Sequence, residues 1–473
     1  MPEFITQHLT PQLFVSLHVL IILVHVVLIS VAYSIYLERK ISAYIQDRVG
    51  PNRTGFDFGL PWLKFLSQAG ITKGLWGLGQ PLADGLKFLL KEDYRPTGTD
   101  KVLFTLGPVL IIIPALIGFV IIPWGGQWDM PAVADWGMFH LPVVGGALYA
   151  LLGWMPEMFV GDGPGGVVHV AGASVNVGVI YLLAVGSLGV YGVTIGGWAS
   201  NNKYSFLGGM RATAQMISYE IPMGMALLAT LLMMGTFLPE EIIAQQREHT
   251  WGLVSMPVAG VLFFICCLAE ANRAPFDNAE AEQELIGGYH TEYSSMRFAL
   301  FFLAEYAHMI TGMAFFTLLF LGGWQILPGI EIFPEVAGSF WIVLAKFGVF
   351  FSKVMLLICF QMVIRWTLPR LRYDQIMMLG WQSMIPIGLC LVVATSVMVH
   401  FGWTGTIELI LMNIAIALGI VLVQNMFPKS TRNKKIEMYG SRFNPVAGTS
   451  GGTAPKHPTA LEDRPVQGIA PAV

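Results

Sequence analysis

LAEANRAPFDNAEAEQELIGGYHTEYSSMRFALFFLAEYAHMI, residues 268–310, decides how this chain folds. An apolar run enters it over 253–272 and another leaves it over 297–321, each close to the ~20 apolar residues that cross a bilayer as a helix. Between them Asp277, Glu280, Glu282, Glu284 and Glu292 crowd one short connection. Two more acids sit in the apolar runs, Glu270 at the end of the first and Glu305 about two turns into the second. A carboxylate there costs on the order of 2.5–3.5 kcal/mol at a helix centre, so its presence points to function.

Working outward, the same apolar pattern recurs over 13–37, 102–123, 175–198, 215–236, 340–364, 382–400 and 405–427, with Glu220 near the start of the fourth span in chain order. The spacing predicts an all-α, polytopic membrane protein of about nine transmembrane helices. Its 473 residues are 55% hydrophobic and 12% charged, against about 25% charged in soluble domains. That excludes a soluble enzyme and a disordered chain, and a net charge of −3 offers nothing to nucleic acid. Cys266, Cys267, Cys359 and Cys390 lie in apolar runs without metal-ligand spacing. The chain alone is therefore expected to hold no iron–sulfur cluster, haem or metal, and to bind no cofactor of its own.

The basic residues orient the spans. Of 27 Lys and Arg, only Arg247 falls in the loops of one side and only Lys346 and Lys353 fall inside a span; the rest lie on the other side. By the positive-inside rule the N-terminus is outside and the C-terminus cytoplasmic. The first span, preceded by no Lys or Arg, reads as a retained helix rather than a cleaved leader. A further apolar run, Met138–Met155, would invert every later loop if it spanned, so it reads as interfacial or re-entrant on the outer face. Gln80–Asp93 places Leu82, Leu86, Leu89 and Leu90 opposite Asp84, Lys87 and Lys91, the pattern of an amphipathic helix lying in the cytoplasmic interface. Residues 1–427 read as the membrane domain, and 428–473, rich in Pro, Ala, Gly and Thr, as a disordered cytoplasmic tail.

Burial and like-charge repulsion raise a carboxyl pKa, so the acids of 268–310 suit proton transfer. If 279–286 is helical, Glu280 and Glu284 share a face and repel. The plain alternative pairs these acids with Arg273 and Arg297. Lys346 and Lys353 share one face of the seventh span, and Lys353 lies deep enough to need an internal carboxylate, with Glu305 as the candidate. Glu305 and His308 form an i,i+3 pair.

Several stretches resemble a known family: YLERKISAYIQDRVGPNR (36–53), GQPLADGLKFLLKED (79–93), GGMRATAQMISYEIPMG (208–224), residues 268–310, and RWTLPRLRYDQIMMLGW (365–381). Together they resemble the H-subunit (mitochondrial ND-one type) family of proton-pumping NADH:quinone oxidoreductase, respiratory complex I. The resemblance implies a subunit at the junction of the membrane and peripheral arms, through which quinone enters from the bilayer. Electrons would reach the quinone from NADH through FMN and iron–sulfur clusters of partner subunits. Partners would be the quinone-site subunits of the peripheral arm and small membrane-arm subunits, in a bacterial inner (plasma) membrane.

Carried over by position, the resemblance places Glu38, Arg39 and Arg48 beside the quinone passage. It assigns proton coupling to Glu220, Glu270, Asp277, Glu280, Glu282, Glu284, Glu292, Glu305 and Lys353, and contact with the peripheral arm to Arg365, Arg370, Arg372 and Asp374. Redox catalysis itself would belong to the partners. Residues 56–78 and 126–173 read as insertions. Asn278-Ala279 replaces a more usual Leu-Pro, His308 stands where Asn is common, and Lys346 is additional. A related membrane subunit of a membrane-bound hydrogenase or formate-hydrogen lyase is the nearest alternative, and a stand-alone proton or ion antiporter a more distant one.

Overall fold

The computed structural model describes residues 11–52, 54–55, 75–130, 167–280 and 282–426. The expectations for 56–74, for 131–166 with the Met138–Met155 run, and for the tail lie outside the described residues. Two compact units are distinguished, Met1–Ala417 and Leu418–Val473. The first holds the helical bundle; the second opens with the end of the final helix, up to Met426.

In chain order the helices are α1 (Pro11–Ile45), α2 (Gln80–Leu90), α3 (Lys101–Ile117), α4 (Gly178–Ala199), α5 (Lys203–Met234), α6 (Pro239–Glu248), α7 (Gly252–Ser255), α8 (Pro257–Glu270), α9 (Glu282–Leu285), α10 (Ser295–Phe320), α11 (Phe340–Thr367), α12 (Tyr373–Met378), α13 (Ile385–His400) and α14 (Thr406–Met426). Among the described residues seven helical stretches are long and apolar enough to cross a membrane, and two shorter apolar helices, Pro257–Glu270 and Thr406–Leu422, accompany them. The nine apolar runs of the sequence are thus nine apolar helices, and the chain is a polytopic helical membrane protein.

Three local features differ from the simplest reading of the sequence. The fifth run is broken: Pro257 has no N–H to continue a helix from α7, so a one-turn helix precedes a 14-residue one. The eighth run begins earlier than its apolar residues, because α12 leads through a wide π turn (Leu379–Met384) into α13, just before Pro386. A π turn absorbs a residue whose ordinary helical bond is lost. The third is a small sheet in an otherwise helical fold: β1 (Gln127–Asp129) pairs antiparallel with β2 (Val167–His169) and parallel with β3 (Val336–Ala337).

Local chemistry sets several ends. The Asp100 carboxylate accepts from Val102 N (3.0 Å) and Leu103 N (3.2 Å), closing the N-terminus of α3. Pro81 begins α2, where a missing N–H is harmless. No residue of α2 is buried, and Leu82, Leu86, Leu89 and Leu90 are exposed, as an interfacial helix requires.

The connections assigned to the cytoplasmic side meet one another. Ser295 Oγ donates to Phe88 O (2.9 Å), Leu371 N to Pro275 O (3.1 Å), and Arg211 pairs with Glu284 (2.7 Å). Those assigned to the outer side do likewise: β1, β2 and β3 join, His169 bonds Glu240, and Arg247 bridges Glu331 and Glu335 at 3.0 Å each. That sorting is what an alternating path of nine spans requires.

Lipid gives helices no hydrophobic drive to associate, so close packing must hold them. Small residues bring α3 and α4 together: a Cβ on Gly192 would lie 2.6 Å from Ile111 N, and one on Gly107 would lie 3.0 Å from Gly196 Cα. Rings fill the α8–α10 seam, with Phe263 5.3 Å from Phe315 and 5.7 Å from Phe320 between centroids. Gly192→Val is therefore expected to cost about 1–3 kcal/mol through overpacking. Gly85→Ala on α2, where a Cβ meets nothing within 4 Å, is neutral or mildly stabilising. Thermal unfolding of the two variants in detergent checks this contrast.

Candidate functional site: a buried carboxylate–arginine network

Residues 271–280 and 288–293 fold back into the inner ends of the bundle instead of looping into solvent. The turn that allows this needs a glycine. Gly288 has φ +62°, and a Cβ there would lie 1.8 Å from Ala279 O. Gly208 of α5 meets the same turn, its Cβ position 2.7 Å from Gly288 Cα.

Arg273 is drawn into the bundle. Its side chain is 3% exposed, and its Nη2 lies 2.9 Å from Oε2 of Glu305, itself 4% exposed. The guanidinium also stacks over Tyr306, 4.3 Å from the ring centroid. Burial alone would favour a neutral guanidinium, but Glu305, with Tyr306, Glu280 and Glu38 adding to it, outweighs burial and holds Arg273 charged. Tyr289 O–H donates to Glu305 Oε1 at 2.5 Å. Burial, then Glu305, raise the Tyr289 phenol, so it stays a donor.

On one side of this centre Tyr306 O–H donates to Glu38 on α1, and Glu38 pairs with Arg365 on α11 at 2.5 Å. On the other, Glu280 meets Glu305 carboxyl to carboxyl and lies 3.9 Å from His290 Nδ1. Burial, then the Glu305 charge, push the Glu280 carboxyl well above the usual range; two facing carboxyls are comfortable when they hold one proton between them. Asp277 stands beside these groups. Burial pushes its carboxyl up to about 6, with Arg370 and Arg365 pulling it part of the way back. Glu38, Tyr306, Arg273, Glu305, Tyr289, Glu280 and His290 thus form a nearly continuous polar path through the inner ends of α1, α10 and the loop.

The eight acids expected to couple protons do not all meet in one cluster. Asp277, Glu280 and Glu305 enter the buried network. Glu284 pairs with Arg211 at 2.7 Å on the surface, and Glu292 accepts from Asn202 Nδ2 at 2.6 Å on the rim. Glu220 and Glu270 face a different neighbour, His308, with Glu270 Oε1 3.5 Å from His308 Nε2. The side chain of Glu282 lies outside the described part. Glu280 and Glu284 do not share a helical face, because α9 spans only Glu282–Leu285 and Glu280 precedes it.

Lys353 does not meet Glu305, which Arg273 occupies. Its Nζ donates to Leu321 O (2.6 Å) and to Gln325 O, and lies 4.4 Å from the Trp251 ring centroid. A cation on the carbonyls that follow α10 satisfies that end of the helix and its dipole. Lys346 donates to Glu335 O at 2.8 Å and stacks on Trp324. Both lysines therefore tie α11 to the outer connections.

Near α1 and α2, Arg39 pairs with Asp84 at 2.8 Å and Tyr36 O–H donates to Trp76 O at 2.5 Å, holding the amphipathic segment against α1. Arg48 is exposed in the turn after α1 and donates from Nε to Gln46 Oε1 at 2.7 Å. Among the four residues expected at the peripheral arm, Arg365 turns inward to Glu38, and Arg370 Nη2 donates to Asp277 O. Arg372 and Asp374 remain exposed. Sequence reasoning missed Tyr289, Tyr306 and His290. Tyr306 follows Glu305 directly and Tyr289 lies in the acidic connection, but their bonds depend on how the loop folds back.

Fold and site together define a helical membrane protein with a buried, titratable polar path at one face. It belongs to the NADH dehydrogenase family, whose model matches residues 18–396. The NADH-quinone oxidoreductase H subunit 2 of Geobacter metallireducens is 42% identical over 383 residues, covering 81% of this chain and 94% of that protein. The corresponding H subunit 1 of Cytophaga hutchinsonii is 42% identical over 369 residues (78% and 92%), and the H subunit of Flavobacterium psychrophilum 40% over 365 residues (77% and 91%).

Arg273→Met leaves Glu305 buried without its cation and is expected to cost about 3–5 kcal/mol. Arg273→Met with Glu305→Leu removes both charges and costs less than the single change. Thermal unfolding of the singles and the double measures that coupling.

Proposed function

We propose that this chain is the H-type membrane subunit of a bacterial NADH:quinone oxidoreductase, embedded in the inner membrane. It admits quinone from the bilayer and links quinone reduction to proton translocation. In this reading NADH oxidation, FMN and the iron–sulfur clusters belong to partner subunits of the peripheral arm, and small membrane-arm subunits flank the bundle. The observation that carries it is the buried path from Glu38 to Glu280 and His290.

The quinone tail would lie against the apolar face of α2 and the adjoining wall of α1, where Arg39 and Asp84 bind the two elements. Proton uptake at the reduced headgroup changes the charge nearest Glu38. Two charges 4 Å apart interact by about 4 kcal/mol at an effective dielectric of 20. One proton added beside Glu38 therefore biases Arg365, Tyr306 and Arg273 in turn, and through Glu305 decides whether Glu280 keeps its proton. Arg370 and the exposed Arg372 and Asp374 offer a polar edge to the peripheral arm.

Glu280→Gln keeps the hydrogen-bonding shape but cannot release a proton. In assembled complex in vesicles it is expected to lower NADH:quinone turnover and pumping by about a hundredfold or more, within the range for a positioned proton-transfer group. Glu282→Gln is measured beside it. Unchanged turnover and pumping in both, with the complex fully assembled, count against the relay.

Asp277 is neutral below its pKa of about 6 and negative above it. Turnover measured against pH should therefore show a limb near pH 6, which Asp277→Asn removes.

A further inference from the structure

His308, Glu270 and Glu220 form a second polar group apart from the Arg273 network. His308 stands three residues beyond Glu305 on α10, a rise of about 4.5 Å toward the membrane interior. His308 and Glu270 border a cavity of about 40 Å³ lined also by Gly186, Leu182, Met223 and Cys267, which is room enough for water. On the α4 side the pair meets glycines: a Cβ on Gly186 would lie 3.4 Å from Glu270 Oε1 and 4.0 Å from His308 Cε1, and one on Gly189 4.0 Å from His308 Nε2.

His308 Nε2 and Glu220 Oε1 are both shielded from solvent without a protein hydrogen-bond partner, an arrangement that asks for an explanation in a native fold. Glu220, from α5, is near enough to feel the charges of both Glu270 and His308. The titratable groups at this point are Glu220 on α5, Glu270 and Cys267 on α8, and His308 on α10; α11 contributes the neutral Gln361. A carboxyl and an imidazole bordering a water-sized space, with a second carboxyl one turn of α5 before Met223 in its wall, are the parts of a proton transfer step.

We propose that His308 is a proton carrier between Glu270 and Glu220, working through the cavity beside Gly186. The O–H bond of a protonated Glu270 breaks as an N–H bond forms at His308 Nε2, leaving a carboxylate and an imidazolium. The imidazolium gives a proton to a water in the cavity, which regenerates the imidazole, and the proton moves on past Met223 toward Glu220. This rests on the proton-coupling reading above and extends it: the route leaves the loop at Glu270 and turns along α10 and α4 into the bundle.

The test uses the assembled complex in vesicles, with NADH:quinone turnover and proton pumping both recorded. His308→Gln, which keeps polarity but carries no proton, is expected to lower coupled turnover about a hundredfold, the low end for a positioned proton-transfer group. His308→Ala is expected to be equally slow and to recover in added imidazole, which a packing role does not predict. Gly186→Val, which fills the cavity without removing an ionisable group, is expected to slow turnover as well. Wild-type turnover and pumping in His308→Gln overturn the proposal, as does a slow, fully assembled His308→Ala that imidazole leaves unchanged. Glu280→Gln separates the two ideas. If it is slow while the His308 variants are normal, only this step fails; if it too is normal, the loop relay fails with it.

Discussion

The Arg273–Glu305 pair is the constraint around which the inner half of the bundle is arranged. Taking a guanidinium out of water carries a penalty of several kcal/mol that its partner must offset. The pair sits where α8 ends and α10 has run almost three turns, so both helices and the loop between them must be in place before either charge is compensated. Tyr289 and Tyr306 then bond the carboxylates on either side, one donating to Glu305 and the other to Glu38. Through Glu38 the constraint reaches α1, and through Arg365 it reaches α11. Four elements distant in sequence are thereby held by one connected set of ion pairs, hydrogen bonds and a stacked guanidinium.

Such an arrangement makes a single fixed ion pair the pivot for groups that are not fixed. Arg273 and Glu305 balance each other, whereas Glu280 faces the same carboxylate with His290 3.9 Å away. Its proton therefore responds to any charge that changes nearby, and Asp277, half neutral near pH 6, stands next to it. A fixed ion pair and carboxyls raised by burial thus lie side by side, an arrangement suited to the proton coupling proposed above.

The number and order of the spans were legible because crossing a bilayer demands long apolar runs, and basic residues mark one side. The amphipathic α2 was equally legible, since Leu82, Leu86 and Leu89 recur at helical spacing. The break at Pro257 was visible in principle, but an apolar run of full length concealed it. The three short strands left no pattern, because so few residues in each are too short a run for alternation to show. At the site, the acids could be found from their cost in an apolar setting, but their partners could not. Lys353 looked as though it needed a carboxylate; two carbonyls beyond α10 and the Trp251 ring satisfy it instead, and those become neighbours only after the turn at Gly322 and Gly323. Glu284 and Glu292 look like Glu280 in sequence, yet Arg211 and Asn202 hold them at the surface and rim.

Infrared difference spectroscopy of the assembled complex tests the proton-coupling role of the buried network most directly, because a buried protonated carboxyl has a C=O stretch separate from that of a carboxylate. Adding NADH and quinone should change such a band, and the change should vanish when Glu280 is replaced by Gln. A carboxyl region that stays silent during turnover, or that responds identically with and without Glu280, would contradict that role.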